Sequence, residues 1–278
     1  MSNYKMHNKA FSIGIILNTI FVGVEVFYGL LANSSALLAD AGHNASDVLG
    51  LLFAWIAAYL STLKARGNFT FGFKKSTILV SILNSLLLFA ALIAIGWDAV
   101  DKLFNPREVA GTQMMIVAGI GTFINTFTAF LFFKDKNTDL NIKSAYLHMA
   151  ADAAISLGVV VAGLLITISG KMWIDPLMSF IVIGIIMYST VKLFFDSTRL
   201  ALGAVPEGVD IEEVREFILN KPQVDKIEVL QIWAISTTET NLNAHLRLSN
   251  NQAEDFVKNL NKELLEKFNI HYSTIQIG

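Results

Sequence analysis

The chain has 278 residues, 54% of them apolar and only 16% charged, with a mean hydropathy of +0.54. Soluble domains average about 25% charged residues, so the composition is that of a membrane protein. The absence of cysteine excludes disulfides, thiolate zinc sites and iron–sulfur clusters, the net charge of −2 leaves no basic footprint for nucleic acid, and four prolines without low-complexity tracts exclude a largely disordered chain.

Six stretches are long and apolar enough to cross a bilayer, which takes about 20 residues of helix: 10–31, 36–63, 77–97, 114–133, 144–169 and 173–191. The first follows Lys5 and Lys9 but is too long for the core of a signal peptide, and a second span follows almost at once. With the N-terminus in the cytoplasm, the inner segments hold Lys5, Lys9, Lys64, Arg66, Lys74, Lys75, Lys134, Lys136, Lys143, Lys192 and Arg199. The outer loops then hold only Lys102, Arg107 and Lys171, which is the expected positive-inside bias. Six spans return the chain to the cytoplasm, so both termini are expected there.

Charge density divides the chain. Residues 1–204 carry 25 charged side chains and residues 205–278 carry 19, so a membrane domain (1–204) and a soluble tail domain (205–278) are expected, divided near Gly203–Pro206. Within the tail, helical spacing covers 210–220 and 252–268, with Phe256, Leu260, Leu264 and Leu265 on one face of the latter. Strands are expected at 224–235, 240–248 and 273–277, with Leu242, Ala244, Leu246 and Leu248 alternating in the second. The order αββαβ predicts a ferredoxin-like sheet with its helices on one face.

A charge near the bilayer centre costs at least ~2.5–3.5 kcal/mol, so ionisable residues inside the spans are functional candidates. They are Glu25, Asp40, His43, Asp47, His148 and Asp152, with Asp175 near a helix end, where Asp175-Pro176 reads as a helix start. His43 and Asp47 are four residues apart and share a helix face; His148 and Asp152 repeat that pair on another helix. Two such pairs can converge into two imidazoles and two carboxylates, a tetrahedral set suited to Zn²⁺, while Cd²⁺ and Co²⁺ also accept these donors. The imidazoles argue against Mg²⁺ and Ca²⁺, and the missing thiols against Cu(I). Asp40 and Asn44 lie beside this set as orienting groups or, for Asp40, a further ligand; Glu25 is a proton carrier or a structural hydrogen-bond partner. Asn18, Asn84 and Asn125, with Asn44, are expected to bond between helices. An intramembrane hydrolase lacks support, because no HExxH motif or nucleophile elbow is present and four protein ligands close the site. A bis-histidine haem site would place carboxylates against the porphyrin.

These residues resemble the cation diffusion facilitators. The likeness runs from Asn18, Glu25 and Gly29 through Ser34-Ser35-Ala36-Leu37-Leu38-Ala39-Asp40-Ala41-Gly42-His43 to Asp47. It continues in Thr70-Phe71-Gly72-Phe73, in Ala145-Tyr146-Leu147-His148 through Asp152, in Trp173-Ile174-Asp175-Pro176, and in the tail at Leu230, Ile232-Trp233 and Thr274-Ile275-Gln276-Ile277. The resemblance implies a homodimer of six-span protomers with cytoplasmic ferredoxin-like domains, exporting divalent metal from the cytoplasm by exchange with protons. It implies that His43, Asp47, His148 and Asp152 form the transport site, that Zn²⁺ or Cd²⁺ is the cargo, and that no organic cofactor is needed. Short loops and a compact tail suggest a prokaryotic plasma membrane. The tail departs from the family pattern: Glu228, Gln231 and Tyr272 stand where metal-binding histidines are usual, although His245 and His271 remain. Loops 61–76 and 134–142 hold no histidine.

Overall fold

In a computed structural model, the structure describes residues 2–133, 140–249 and 253–278. Lys134, Lys136 and Gln252, used in the sequence reading, lie outside them. Six long helices come first: α1 (Ser2–Leu31), α2 (Ser35–Ser61), α3 (Ser76–Phe104), α4 (Gly111–Phe133), α5 (Leu140–Ser169) and α6 (Ile174–Ala201). The tail follows as α7 (Ile211–Leu219), β1 (Val224–Ala234), β2 (Thr240–Leu248), α8 (Ala253–Phe268) and β3 (Ile270–Ile277). Among the described residues, α2 to α6 are long and apolar enough to cross a membrane; the described apolar part of α1 is shorter, Asn18–Leu31. Large apolar side chains such as Ile93, Phe123, Phe130 and Ile168 face outward from the helices, as lipid contact requires.

Several boundaries differ from the sequence reading. α3 continues seven residues past the expected end, so Asp98, Asp101 and Lys102 belong to a helix and Lys102 is not a loop residue. α6 runs ten residues further than its apolar stretch, to Ala201. β3 begins at Ile270, three residues early, because Asn269 takes a left-handed φ of 55° that ends α8 and turns the chain straight into the strand.

The chain divides into two compact units. One takes in the chain up to Leu52 with Asn84–Val191; the other takes in Phe53–Leu83 with Lys192–Gly278. In the first, the α1–α2 connection is a Schellman turn: Asn33 is left-handed (φ 52°), Ser34 N–H donates to Gly29 O, and Asn33 N–H donates to Leu30 O. Its core joins Phe21, Leu37, Leu92, Met114, Val159, Ile166 and Ile186. α4 and α5 touch backbone to backbone at Gly111 and Gly163.

In the second unit, β1 pairs antiparallel with β2, and β2 pairs parallel with β3, in the order β1-β2-β3. A parallel pair needs a crossover, and α8 supplies it. Leu242, Ala244 and Leu246 of the central strand are buried with Val214 and Ile218 of α7 and Leu260 and Leu264 of α8. Asp210 caps α7 by accepting from the N–H groups of Glu212 and Glu213. The Phe-Gly turn before α3 needs its glycine: Gly72 has φ +67°, and a Cβ there would lie 2.8 Å from Leu63 O.

The same unit ties that turn to the sheet. Lys74 Nζ donates to Glu239 (3.0 Å to Oε1, 2.8 Å to Oε2) and to the Tyr272 hydroxyl (2.6 Å), and lies 4.6 Å from the centre of the Tyr272 ring. The bond to Glu239, and then that to Tyr272, hold the Lys74 ammonium above its ordinary value. A raised lysine contributes stability that is complete below its ordinary value near ~10.4 and is lost as pH rises through the higher folded value. Partly exposed pairs are worth about 0.2–1 kcal/mol. Lys74→Met is therefore expected to lower Tm by a few degrees at pH 7. The gap from wild type should close in strongly alkaline buffer, which paired melting curves at the two pH values would check.

Candidate metal site

α2 and α5 bring the two His–Asp pairs together in a crossed arrangement. His43 Nε2 lies 3.1 Å from Asp152 Oδ1 and 3.7 Å from Asp47 Oδ2. His148 Nε2 lies 3.1 Å from Asp47 Oδ2 and 3.7 Å from Asp152 Oδ2. The rings are 5.9 Å apart and nearly perpendicular. Each imidazole thus faces both carboxylates, one on its own helix and one across. Ligand atoms of His43, Asp47 and Asp152 all lie within 4.8 Å of one another; His148 joins through its two carboxylate contacts and stands outside that tighter group. A tetrahedral ion with bonds near 2.0–2.1 Å has ligand–ligand edges of roughly 3.3 Å. The four His–Asp separations straddle that length, so an ion could replace these contacts with small side-chain adjustments.

Burial is graded through the set. Asp152 is 1% exposed and His43 13%, whereas Asp47 is 28% and His148 45%. Asp47 and His148 thus form the more exposed half of the set, and His43 and Asp152 the buried half.

Neighbouring side chains hold α2 in place. Ser156 Oγ on α5 donates to Asp40 Oδ2 at 2.7 Å, one turn from His43. Asp40 is fully buried and bonded to α5, and it lies outside the tight His–Asp–Asp group. Asn44 Nδ2 donates to Glu25 Oε2 on α1 at 2.9 Å. Asn84 on α3 reaches Ser46 on α2 at 3.4 Å. The expected interhelical bonds therefore exist for Asn44 and Asn84. Asn125 is buried with neither side-chain polar atom bonded, and Asn18 Oδ1 is also unbonded. Asn44 Oδ1 and His43 Nδ1 are likewise buried without a partner, while the buried carboxyl groups of Glu25 and Asp40 lie against each other beside the His–Asp set.

Three partners escaped the sequence reading. Ser156 lies one turn beyond Asp152, a spacing that could have flagged it. Asp175 does open its own helix, as expected, and in addition receives Ser35 N–H at 2.8 Å and Ala36 N–H at 3.2 Å from α2. Lys102, assigned to a loop, is buried against Asp98. In the tail, the positions without histidine are occupied by protein contacts: Glu228 with Arg247, Gln231 with Asn243, Tyr272 with Lys74. His271 Nδ1 accepts from Thr240 N–H.

The geometry can be set beside known proteins. Residues 12–200 match the model of the cation efflux transmembrane domain, and residues 206–278 match that of the cation efflux protein cytoplasmic domain. The chain is 33% identical to the cadmium, cobalt and zinc/H(+)-K(+) antiporter of Bacillus subtilis, over 99% of this chain and 90% of that protein. It is 31% identical to the metal cation efflux system protein CzcD of Cupriavidus metallidurans, over 97% and 86% respectively. It is 30% identical to the zinc transporter ZitB of Yersinia pestis, over 98% and 88%. Matched over nearly its whole length, the chain belongs to the cation efflux family and is an integral membrane transporter, not an enzyme.

Proposed function

We propose that this chain carries Zn²⁺, and Cd²⁺ in the same way, out of the cytoplasm in exchange for protons, by alternating access at a tetrahedral site of His43, Asp47, His148 and Asp152. The observation that carries this reading is the ring of four His–Asp separations between 3.1 and 3.7 Å. Relatives whose names specify zinc, cadmium and cobalt support the cargo. Their bacterial sources support a bacterial plasma membrane, with both termini on the cytoplasmic side by the lysine and arginine bias. The tail domain joins two protomers as a homodimer.

The chemistry follows from the donors. Two carboxylates neutralise a divalent cation, which makes the site tolerable in low dielectric. Imidazole nitrogen binds either a metal or a proton, so the two cargoes compete for the same atoms. Facing the cytoplasm, the site takes Zn²⁺ and releases protons; facing outward, protons displace the metal and return. Glu25, Asp40 and Asn44 serve the cycle from behind: all three orient α2, and the Glu25 and Asp40 carboxylates offer places where a proton can rest. Moving a divalent cation outward against 100 mV costs roughly 4.6 kcal/mol, and each entering proton offsets about half of that electrically.

In proteoliposomes with a trapped zinc dye, Zn²⁺ uptake is expected to rise when the lumen is more acid than the bath. Equilibrium Zn²⁺ binding is expected to weaken as pH falls. A parallel arm with luminal K⁺ in place of choline separates proton from potassium exchange. Uptake indifferent to the proton gradient would remove the exchange step, and tight binding without flux would remove transport at this site.

A further inference from the structure

The end of the bundle at which α2 and α6 begin and α3 finishes is tied together by polar groups. Asp175 on α6 accepts Ser34 Oγ–H at 2.5 Å, Ser35 N–H at 2.8 Å and Ala36 N–H at 3.2 Å, all from the first turn of α2. These N–H groups have no partner within their own helix, and the positive end of the helix favours a carboxylate. Beside them, Ser35 Oγ–H donates to Asp98 Oδ2 at 2.5 Å. Lys102 Nζ lies 2.7 Å from Asp98 Oδ2, 2.7 Å from Ser35 Oγ and 3.0 Å from Asn33 O. Lys102 is 4% exposed, Ser34, Ser35 and Asp175 are fully buried, and Asp98 is 35% exposed at the edge of the network. Ser35 and His43 are eight residues apart, roughly 12 Å along α2 at 1.5 Å per residue.

Along the stripe of α2 that carries Asp47, His43 and Asp40, burial deepens in this direction. Asp47 is part-exposed, His43 less so, and Asp40, Ala36, Ser35 and Ser34 are closed off completely. The more exposed half of the His–Asp set lies toward the Asp47 end of α2, and this buried network lies at the other end of that stripe.

We propose that Asp175, with Asp98 and Lys102, is the closure of the transport path at that end: a polar clasp holding α2 to α6 and α3, which must open for cargo to leave. The inference rests on the transport reading above, and on the orientation given there this is the outer end. The physical argument lies in the kind of bond used. Packed apolar side chains have no substitute partner when they separate. A carboxylate on backbone N–H groups can exchange those donors for water, so the clasp is strong when dry and releasable when water enters. Such a contact has two discrete states, as an alternating-access gate requires. Asp175, Asp98 and Lys102 are thus positioning residues that touch no cargo.

The chain contains no cysteine, so a single introduced one reports cleanly. Ala36→Cys lies in the clasp, and Ala118→Cys lies in the α4 core; both positions are fully buried. A membrane-impermeant maleimide, applied to the outer face of intact cells, should label both slowly in the otherwise native chain. Adding Asp175→Asn should raise labelling of Ala36→Cys at least tenfold while Ala118→Cys stays protected, and Lys102→Met should act in the same direction. If Ala36→Cys stays protected in both variants, the clasp is not a closure. If both cysteines become reactive together, Asp175 supports the fold generally and the proposal falls. Because labelling requires neither zinc nor flux, failure of the transport reading would appear in the proteoliposome assay and not here.

Discussion

Asp152→Ala is expected to reduce Zn²⁺ flux to the level of empty vesicles, at least a hundredfold, and to abolish binding at the proposed site. Asp152 is the most buried of the four proposed ligands, and its two oxygens face different imidazoles, His43 through Oδ1 and His148 through Oδ2. Removing it takes one ligand and half of the neutralising charge together. A divalent ion would then hold an uncompensated positive charge in low dielectric, where the penalty is several kcal/mol. Ser156→Ala should fall short of this. It removes the donor to Asp40 at 2.7 Å and leaves all four ligands standing, and losses of such outer partners typically cost about 10- to 100-fold in metal affinity. Zinc-dye uptake and equilibrium binding on the two variants give the ranking. Asp152→Ala transporting at the wild-type rate would place the cargo elsewhere.

Gly163→Ala is expected to be the most damaging single-methyl change in the helical unit. A Cβ at Gly163 would stand 2.8 Å from Gly111 O and 2.9 Å from Met115 N. Both neighbours are backbone atoms of α4, so no rotamer change can relieve the overlap and the helices must separate. Overpacking of this kind costs about 1–3 kcal/mol, and for a unit of this size Tm should fall by roughly 3–10 °C. The damage should reach the site as well, because α5 carries Asp152 and His148. Gly184→Ala on α6 is the matched control: nothing lies within 4 Å of its added Cβ. That variant should melt at or slightly above wild type, since alanine is the better helix former by about 0.5–1 kcal/mol. Thermal unfolding in detergent compares the two, and equal melting would mean that α4 and α5 do not need their close contact.

Much of the architecture was legible because two simple periods carry it. Runs of apolar residues gave the helices α1 to α6, and alternation in Leu242, Ala244 and Leu246 gave the central strand. The His–Asp spacing of four residues, repeated as His43/Asp47 and His148/Asp152, pointed to a candidate site, and the structure brings those four side chains together. Helix ends were less legible. The apolar run of the third span stops at Trp97, but the helix continues because Asp98 and Lys102, one turn apart, satisfy each other and Ser35. Hydropathy reads a charge as a boundary and cannot see that its partner is buried beside it.

The amino-acid order alone determined the class of molecule, the number of long helices and the αββαβ tail, and it singled out the two His–Asp pairs as candidates, because each rests on local composition or spacing within one element. Only the tertiary structure decided that each histidine faces the other helix's aspartate at 3.1 Å, that Ser156 holds Asp40, and that Asp175, besides opening α6, bonds the start of α2. Those partners are separated by between 101 and 140 residues of chain. No periodicity reaches across such distances; the packing of one helix against another selects them, and that selection depends on small residues such as Gly111 and Gly163, whose importance lies in what they leave room for.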